Sequence, residues 1–99
     1  MVQGRWFPMG SDISRPIEIR QQVFGRGQDA LDDQAQQVLV FREEEPVGCG
    51  RLWWEGGAFH LGDVGVVEPE RNKGFGDLLV RLCLFKALTH NAALIRLAT

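Results

Sequence analysis

Three apolar stretches of strand length, separated by short polar turns, dominate the middle of the chain. They are Val38 to Phe41, Val47 to Trp54 and Ala58 to Val67. The segments that connect them, Glu43 to Pro46 and Glu55 to Gly57, have the length and residue types of tight turns. Consecutive strands joined by tight turns pair in an antiparallel fashion, so the pattern predicts a three-stranded meander.

Two flanking segments have helical patterns instead. Ser14 has the residue type of an N-cap for a helix from about Arg15 to Phe24, which Gly25 should end. A second helix is predicted from about Phe75 to Thr89, and its apolar residues cover most of its circumference. A helix with this distribution is normally buried on two sides.

The remaining segments complete the predicted sheet. Residues 1–10 should be irregular or form one short edge strand, because Pro8 limits pairing. Residues 28–36 are polar and acidic and indicate a loop or one helical turn. Ala92 to Ala98 is predicted as a last strand, parallel to the strand before the second helix through a right-handed crossover. The predicted fold class is α/β (α+β): an antiparallel meander followed by a parallel β-α-β crossover in one mixed sheet, with helices on both faces.

Composition limits the location and the partners. The 99 residues suit one domain, and 44% hydrophobic and 24% charged residues are typical of globular proteins. A net charge of −2 disfavours binding to nucleic acid or to an anionic membrane, and no apolar run approaches the roughly 20 residues of a membrane span. Cys49 and Cys83 show no C-x-x-C spacing, so we expect two buried free thiols, a cytoplasmic location and no metal site.

The strongest chemical signal is the run Arg71-Asn72-Lys73-Gly74-Phe75-Gly76, between the last meander strand and the second helix. A strand, a glycine-bearing turn and a helix N-terminus together present backbone N–H groups to an anion, most often a phosphate. The two glycines lack Cβ and let a ligand oxygen approach closely, while the arginine and lysine add positive charge. The structural alternative is a connection that needs glycine only for its turn.

Two familiar phosphate-binding motifs do not fit this run. A dinucleotide fingerprint, G-x-G-x-x-G, needs a third glycine where Leu79 stands and an acidic residue after the next strand. A P-loop needs a Gly-Lys-Ser/Thr sequence, which does not follow. Three preceding antiparallel strands suit neither fold, and both alternatives are set aside.

With its neighbours, the run resembles the acyl-CoA-binding motif of the GNAT superfamily of N-acyltransferases. That motif is an apolar strand, then Arg/Gln-x-x-Gly-x-Gly/Ala, then a helix with early leucines, and Val66 to Leu79 follows this order. Ile19 to Phe24 resembles the family's first helix, and Pro46 to Leu52 resembles its third-strand pattern. The agreement in spacing extends from about residue 13 to the C-terminus.

The resemblance implies acetyl-CoA as the acyl-donor substrate and an unknown amine as the acceptor. Backbone amides of the turn would hold the pyrophosphate, Arg71 would close the turn or touch a phosphate, and the end of the preceding strand would offer main-chain groups to the pantetheine arm. That strand should splay from the last one and leave a cleft for the thioester. The cofactor-binding residues implied are Val66, Val67, Arg71, Asn72, Lys73, Gly74, Phe75, Gly76 and Asp77.

Catalytic residues are less well marked. In the family the proton donor is often a tyrosine, and this chain contains none. His60 is the first candidate for a base, because it shares strand parity with Val64 and Val66, which should face the cleft; a structural histidine is the alternative. Asp63 and Glu68 are weaker candidates for which the alternative is a solvated charge at the strand end.

Three further side chains are expected to pack in the core, to contact a ligand or partner, or to form an ion pair. Trp53 and Trp54 should point to opposite faces of the sheet. Arg51 is expected to pair with an acid rather than to bind substrate.

We therefore predict one GNAT-like acyl-CoA-binding domain over residues 1–99, lacking the family's usual C-terminal helix and strands. The predicted function is an N-acetyltransferase in which an amine attacks acetyl-CoA directly. The alternatives are a non-catalytic acyl-CoA-binding or interaction module and an inert truncated product. A homodimer is expected through Leu84, Leu88 and the last strand, because the second helix has more apolar surface than one sheet can cover.

Overall fold

The computed structural model describes residues 1–89 and 95–98. Within these residues, nine elements follow one another: β1 (Val2–Phe7), α1 (Ser14–Phe24), a 3₁₀ helix (Ala30–Gln34), β2 (Ala35–Arg42), β3 (Glu45–Glu55), β4 (Ala58–Val66), a short 3₁₀ turn (Glu68–Glu70), α2 (Phe75–Leu88) and β5 (Ile95–Ala98).

One five-stranded sheet has the strand order β1-β2-β3-β4-β5. β1 to β4 pair antiparallel, and β5 runs parallel to β4 after α2. The predicted meander, crossover and α/β (α+β) class are therefore confirmed. Of the alternatives for the N-terminal residues, the edge strand is correct, because all six residues of β1 pair with β2.

The helix ends differ slightly from the predicted ones. α1 begins at Ser14 itself rather than after it, and the Ser14 N–H donates to Asp12 Oδ1 at 3.0 Å, so the prediction of Ser14 as N-cap is wrong. Gly25 ends α1 as predicted, with φ 70° and its N–H donating to the Gln21 carbonyl at 2.8 Å. Residues 92–94 of the predicted last strand lie outside the described residues. In the described part of the chain, neither helix is long and apolar enough to cross a membrane.

The two helices lie on opposite faces of the sheet. A Cβ added at Gly50 would approach Cys83 of α2, whereas one added at Gly65 would meet Val23 and Phe24 of α1. The fully buried side chains of α2 form one stripe, Phe75, Leu79, Cys83 and Ala87, and the half-buried Leu78, Val80 and Leu82 pack against the same core. Burial on a second side of α2 is not seen in the single chain, because its outer side chains are exposed.

Both cysteines are free and buried, as predicted. Burial raises the pKa of the Cys49 thiol to about 11 and that of the Cys83 thiol to about 12. Thiols with such pKa values are protonated at neutral pH and act as small apolar side chains.

Candidate functional site

A cleft of about 460 Å³ opens where β4 ends, between the C-terminal end of α1 and the turn that leads into α2. Its walls come from three segments that are far apart in the sequence. The lining residues are Val23, Phe24, Val64, Gly65, Val66, Glu70, Arg71, Asn72, Gly74, Phe75 and Gly76.

The turn before α2 has a backbone conformation that leaves amides open to the cleft. Asn72 and Gly74 adopt left-handed conformations with φ 66° and φ 86°. Gly74 is also the N-cap of α2, and no side chain caps the helix there. The first-turn N–H groups of a helix have no intrahelical partner, so these amides can donate hydrogen bonds to an anion.

Arg71 ties this turn to the end of β4. Its Nε donates to the Val66 carbonyl at 3.0 Å, which corresponds to the first of its two predicted roles, closing the turn. Among the described residues its two terminal guanidinium nitrogens have no hydrogen-bond or ion-pair partner. They remain able to bind an anionic group at the cleft.

Glu70 is a charged lining residue that the sequence analysis missed. It accepts from Arg42 Nη2 and, at 3.0 Å, from Lys73 Nζ. These hydrogen bonds and charges, with Arg42 foremost, lower the pKa of Glu70. The ionised carboxylate therefore holds the Lys73 ammonium beside the turn and offsets part of its positive charge.

Three of the residues implied as cofactor-binding do not line the cleft. Val67 donates its N–H to the Val47 carbonyl at 2.9 Å and accepts at 2.9 Å from the Glu70 N–H, so both of its main-chain groups are engaged. Lys73 is held by Glu70, and Asp77 forms an exposed ion pair with Arg81 at 3.0 Å. The structure brings the other six together: Val66, Arg71, Asn72, Gly74, Phe75 and Gly76.

A β-bulge interrupts β4 just before the cleft. Arg51 on β3 pairs with Gly62 and Cys49 pairs with Gly65, so two steps on β3 correspond to three steps on β4. Asp63 takes up the extra residue with φ 51°. Among the described residues, β5 pairs only with Phe59 to Gly62, so the part of β4 after the bulge has an open edge.

The bulge makes the predicted parity of β4 wrong. Val64 and Val66 lie on the α2 face, next to Cys83 and Leu79. His60 lies on the α1 face, where its ring stacks on Trp53 with centroids 5.6 Å apart. Its Nε2 is 3.0 Å from the Glu55 carbonyl oxygen, and His60 is not among the cleft-lining residues.

The two acidic candidates have different environments. Asp63 is not the solvated charge that the alternative described, because its side chain is only 13% exposed and accepts from Arg26 Nη2 at 2.6 Å. Arg51 Nη2 forms an ion pair with Asp63 Oδ2 at 2.7 Å. Glu68 is exposed at the start of the 3₁₀ turn. Neither carboxylate lines the cleft.

A buried ion network supports the α1 side of the sheet. Arg20 donates to both oxygens of Asp32 at 2.8 Å and to Gln37 at 2.7 Å. Arg51 reaches the same carboxylate at 3.1 Å and Asp29 at 2.8 Å and 3.1 Å, which confirms the expected pairing of Arg51 with an acid. Among the tryptophans, Trp53 is buried and Trp54 is 53% exposed, in agreement with the prediction of opposite faces.

The charges of this network control its protonation. Burial alone would raise the pKa of Asp32, but hydrogen bonds from Arg20 and from the Asp29 N–H, with the charges of Arg20 and Arg51, lower it well below its usual range. The hydrogen bond from Arg51 is the main reason that the pKa of Asp29 is also lowered. Both carboxylates are therefore ionised at neutral pH.

Open amides, a free guanidinium end and apolar walls suit a ligand that carries phosphate at one end and an uncharged chain at the other. Within the described residues, no group of three or more histidine, cysteine, aspartate or glutamate side chains could hold a metal ion.

Residues 4–99 match the Acetyltransferase (GNAT) family, and the chain belongs to that family. The uncharacterized protein YyaT of Bacillus subtilis (strain 168) is 31% identical in an alignment over 81 residues that covers 71% of this chain and 55% of that relative. The chain thus spans about half the length (55%) of this curated relative.

Solved structures share the fold at low identity. The IAA acetyltransferase from Bacillus cereus ATCC 14579 matches with a TM-score of 0.85 and 14% identity, covering 100% of this chain and 66% of that one. A GNAT family acetyltransferase from Elizabethkingia anophelis with acetyl-CoA bound matches with a TM-score of 0.76 and 18% identity, covering 99% and 65%. At these identities the likeness concerns the fold.

Proposed function

We propose that this GNAT family member binds acetyl-CoA in the cleft at the end of β4 and transfers the acetyl group to an amine by direct attack. The observation that carries the proposal is the turn at Asn72 and Gly74, whose left-handed residues leave the first amides of α2 uncapped at the cleft. The pyrophosphate would bind there, near Arg71, and the pantetheine arm would run along Val66 toward the bulge.

Acetyl transfer needs a neutral amine, a polarised thioester carbonyl and a proton for the leaving thiolate. Main-chain amides on the edge of β4 after the bulge, where the described pairing with β5 has ended, would polarise the carbonyl. Imidazole titrates near neutral pH, so we propose that His60 accepts the amine proton through water, with Asp63 and Glu68 as alternatives.

A second candidate function is a non-catalytic acyl-CoA-binding or interaction module of the same fold. One observation favours it: the three candidate bases His60, Asp63 and Glu68 do not line the cleft. Such a module would bind acetyl-CoA and release no CoA.

The test joins calorimetric titration with acetyl-CoA to an assay of CoA release with a panel of amines. Arg71→Ala should weaken acetyl-CoA binding by about tenfold, because a charge-assisted contact to phosphate is lost. Arg81→Ala is the matched control, since Arg81 is exposed on α2 and pairs only with Asp77 in the described chain. Binding without release of CoA would support the module, and no binding by the unaltered chain would refute both functions.

The proposed role of His60 has its own test. His60→Gln should remove an inflection from the pH–rate profile and leave acetyl-CoA affinity unchanged, because His60 is not among the residues that line the cleft. If the variant keeps the rate and the pH profile of the unaltered protein, His60 has no part in proton transfer.

We also propose a homodimer that forms through the outer face of α2. Phe85 and Leu88 are 71% and 60% exposed there, Leu84 beside them is half-buried, and β5 is the edge of the described sheet. Exposed apolar side chains and an unpaired strand edge favour a self-complementary contact.

Leu88→Lys should convert the dimer to a monomer in light scattering at micromolar concentration, because it puts a charge into the proposed apolar contact. Thr89→Lys adds the same charge to the exposed neighbouring residue and should leave the dimer intact. A monodisperse monomer of 11.1 kDa for the unaltered chain would contradict the proposal.

A further inference from the structure

We propose that Phe24 and Asp63 form a subsite for a cationic group of the acyl acceptor, and that the Arg26 side chain fills this subsite when no acceptor is bound. The proposal rests on the proposed acetyltransferase function and adds the charge class of the acceptor, an ammonium or a guanidinium.

The contacts of Arg26 are those expected of a bound organic cation. Its guanidinium carbon lies 5.2 Å from the centroid of the Phe24 ring, and its Nη2 donates to Asp63 Oδ1 at 2.6 Å. An aromatic face beside a carboxylate is a combination that binds ammonium and guanidinium groups, through cation–π attraction and a charge-assisted hydrogen bond. Arg26 thus marks the position that such a group of a ligand can take.

The subsite lies beside the cleft proposed for acetyl-CoA. Phe24 lines that cleft, and so does Val64, the residue after Asp63. Asp63 is also the bulge residue, at the point where β4 loses its pairing with β5. A cation held here would sit beside the end of the strand along which the acyl chain is proposed to run.

The charge balance identifies Arg26 as the exchangeable partner. Three carboxylates and two buried guanidiniums form the connected charges around the bulge: Asp29, Asp32, Asp63, Arg20 and Arg51. Without Arg26 this group has one negative charge in excess. The Arg26 side chain is 56% exposed, against 2% for Arg20 and 7% for Arg51, so it can leave without opening the core.

The experiment uses N-ethylguanidinium as the probe and N-ethylurea as its uncharged counterpart of nearly the same shape. Arg26→Ala empties the subsite, so the cation should bind this variant at least about tenfold more tightly than it binds the unaltered protein, as expected for a charge pair with an aromatic contact. The amide NMR signals of Phe24 and Asp63 should shift during the titration. The urea should cause no such shift.

Two controls separate this result from general attraction. Arg15→Ala removes another arginine that lies 5.2 Å from an aromatic centroid, that of Phe41, away from the cleft, and should not create binding. Arg26→Ala combined with Asp63→Asn should lose the binding. Arg26→Gln provides a second neutral replacement if the alanine variant folds poorly.

Equal binding of the cation to all variants, or no binding to either Arg26 variant, would overturn the proposal. Acetyl-CoA titrations of the same samples keep the two ideas apart. If acetyl-CoA binds normally but the cation does not bind, only the acceptor subsite is refuted. If the unaltered protein does not bind acetyl-CoA, the proposed function is refuted.

Discussion

Gly76→Val should weaken acetyl-CoA binding by more than about tenfold and leave the free protein folded. Gly76 is the second residue of α2 and lines the cleft. Among the described residues, a Cβ added there meets only Val66 Cγ2, at an ordinary contact distance of 3.9 Å. The branched side chain therefore fits the empty protein and occupies the space through which a phosphate oxygen would reach the first amides of the helix.

Calorimetry with acetyl-CoA and a thermal melt of the same sample measure the two halves of this expectation. Gly27→Val is the matched control, because Gly27 is exposed, has no neighbour within 4 Å of an added Cβ, and does not line the cleft. Unchanged affinity in Gly76→Val would show that the cofactor does not approach this turn. If both variants have lower melting temperatures and lose acetyl-CoA affinity equally, the effect is a general one of introducing valine.

Asp32→Asn should destabilise the protein by about 3–5 kcal/mol, because it removes the charge of the carboxylate that pairs with the buried guanidinium of Arg20. For a domain of this size that loss lowers the melting temperature by about 12 °C or more. Asp33→Asn changes the neighbouring, exposed carboxylate and should shift stability by less than about 0.5 kcal/mol. Similar melting temperatures for the two variants would mean that the network contributes little.

The same residue gives an expected dependence on pH. The pKa of Asp32 is lower in the folded protein than in the unfolded chain, where it is about 3.9. The stabilising contribution of Asp32 is therefore complete above the unfolded pKa and is lost as the pH falls toward the folded pKa. The unaltered protein should therefore lose stability below about pH 4 more steeply than Asp32→Asn does. Denaturant titrations at several acidic pH values measure both slopes.

The architecture was predictable from the sequence because its signals are local. Glu55-Gly56-Gly57 has two glycines, both with positive φ in the structure, and this turn sets the β3–β4 hairpin. Gly74 likewise has a left-handed conformation, which only a few residue types adopt easily. The turn before α2 could therefore be located from its glycine content. Each of these positions fixes a chain reversal without reference to distant residues.

The position of the catalytic candidates was not predictable in the same way. The bulge residue with the left-handed conformation is Asp63, and an aspartate within a strand sequence does not by itself predict a positive φ. Strict alternation along β4 therefore placed His60 on the wrong face.

The buried network depended on contacts between distant residues. Asp32 accepts from Arg20 on α1, which is 12 residues earlier, and from Arg51 on β3. One local signal was available: Asp29 and Asp32 form a capping box around the 3₁₀ helix, with the Asp29 N–H donating to Asp32 at 2.9 Å. A search for Asp-x-x-Asp before a strand could have located this pair, but not the arginines that bury it.

The pairing of Arg20 with Asp32 has a consequence for how this fold can diversify. Arg20 precedes the connection that follows α1 and Asp32 comes after it, so their ion pair holds the chain in place on both sides of residues 25–28. Closing a longer loop costs only about 0.6 kcal/mol for each doubling of its length. Insertions and substitutions in residues 26–28 should therefore be tolerated by the scaffold. Because Arg26 contacts Phe24, which lines the cleft, this segment is the part of the chain where new acceptor preferences can evolve or be engineered.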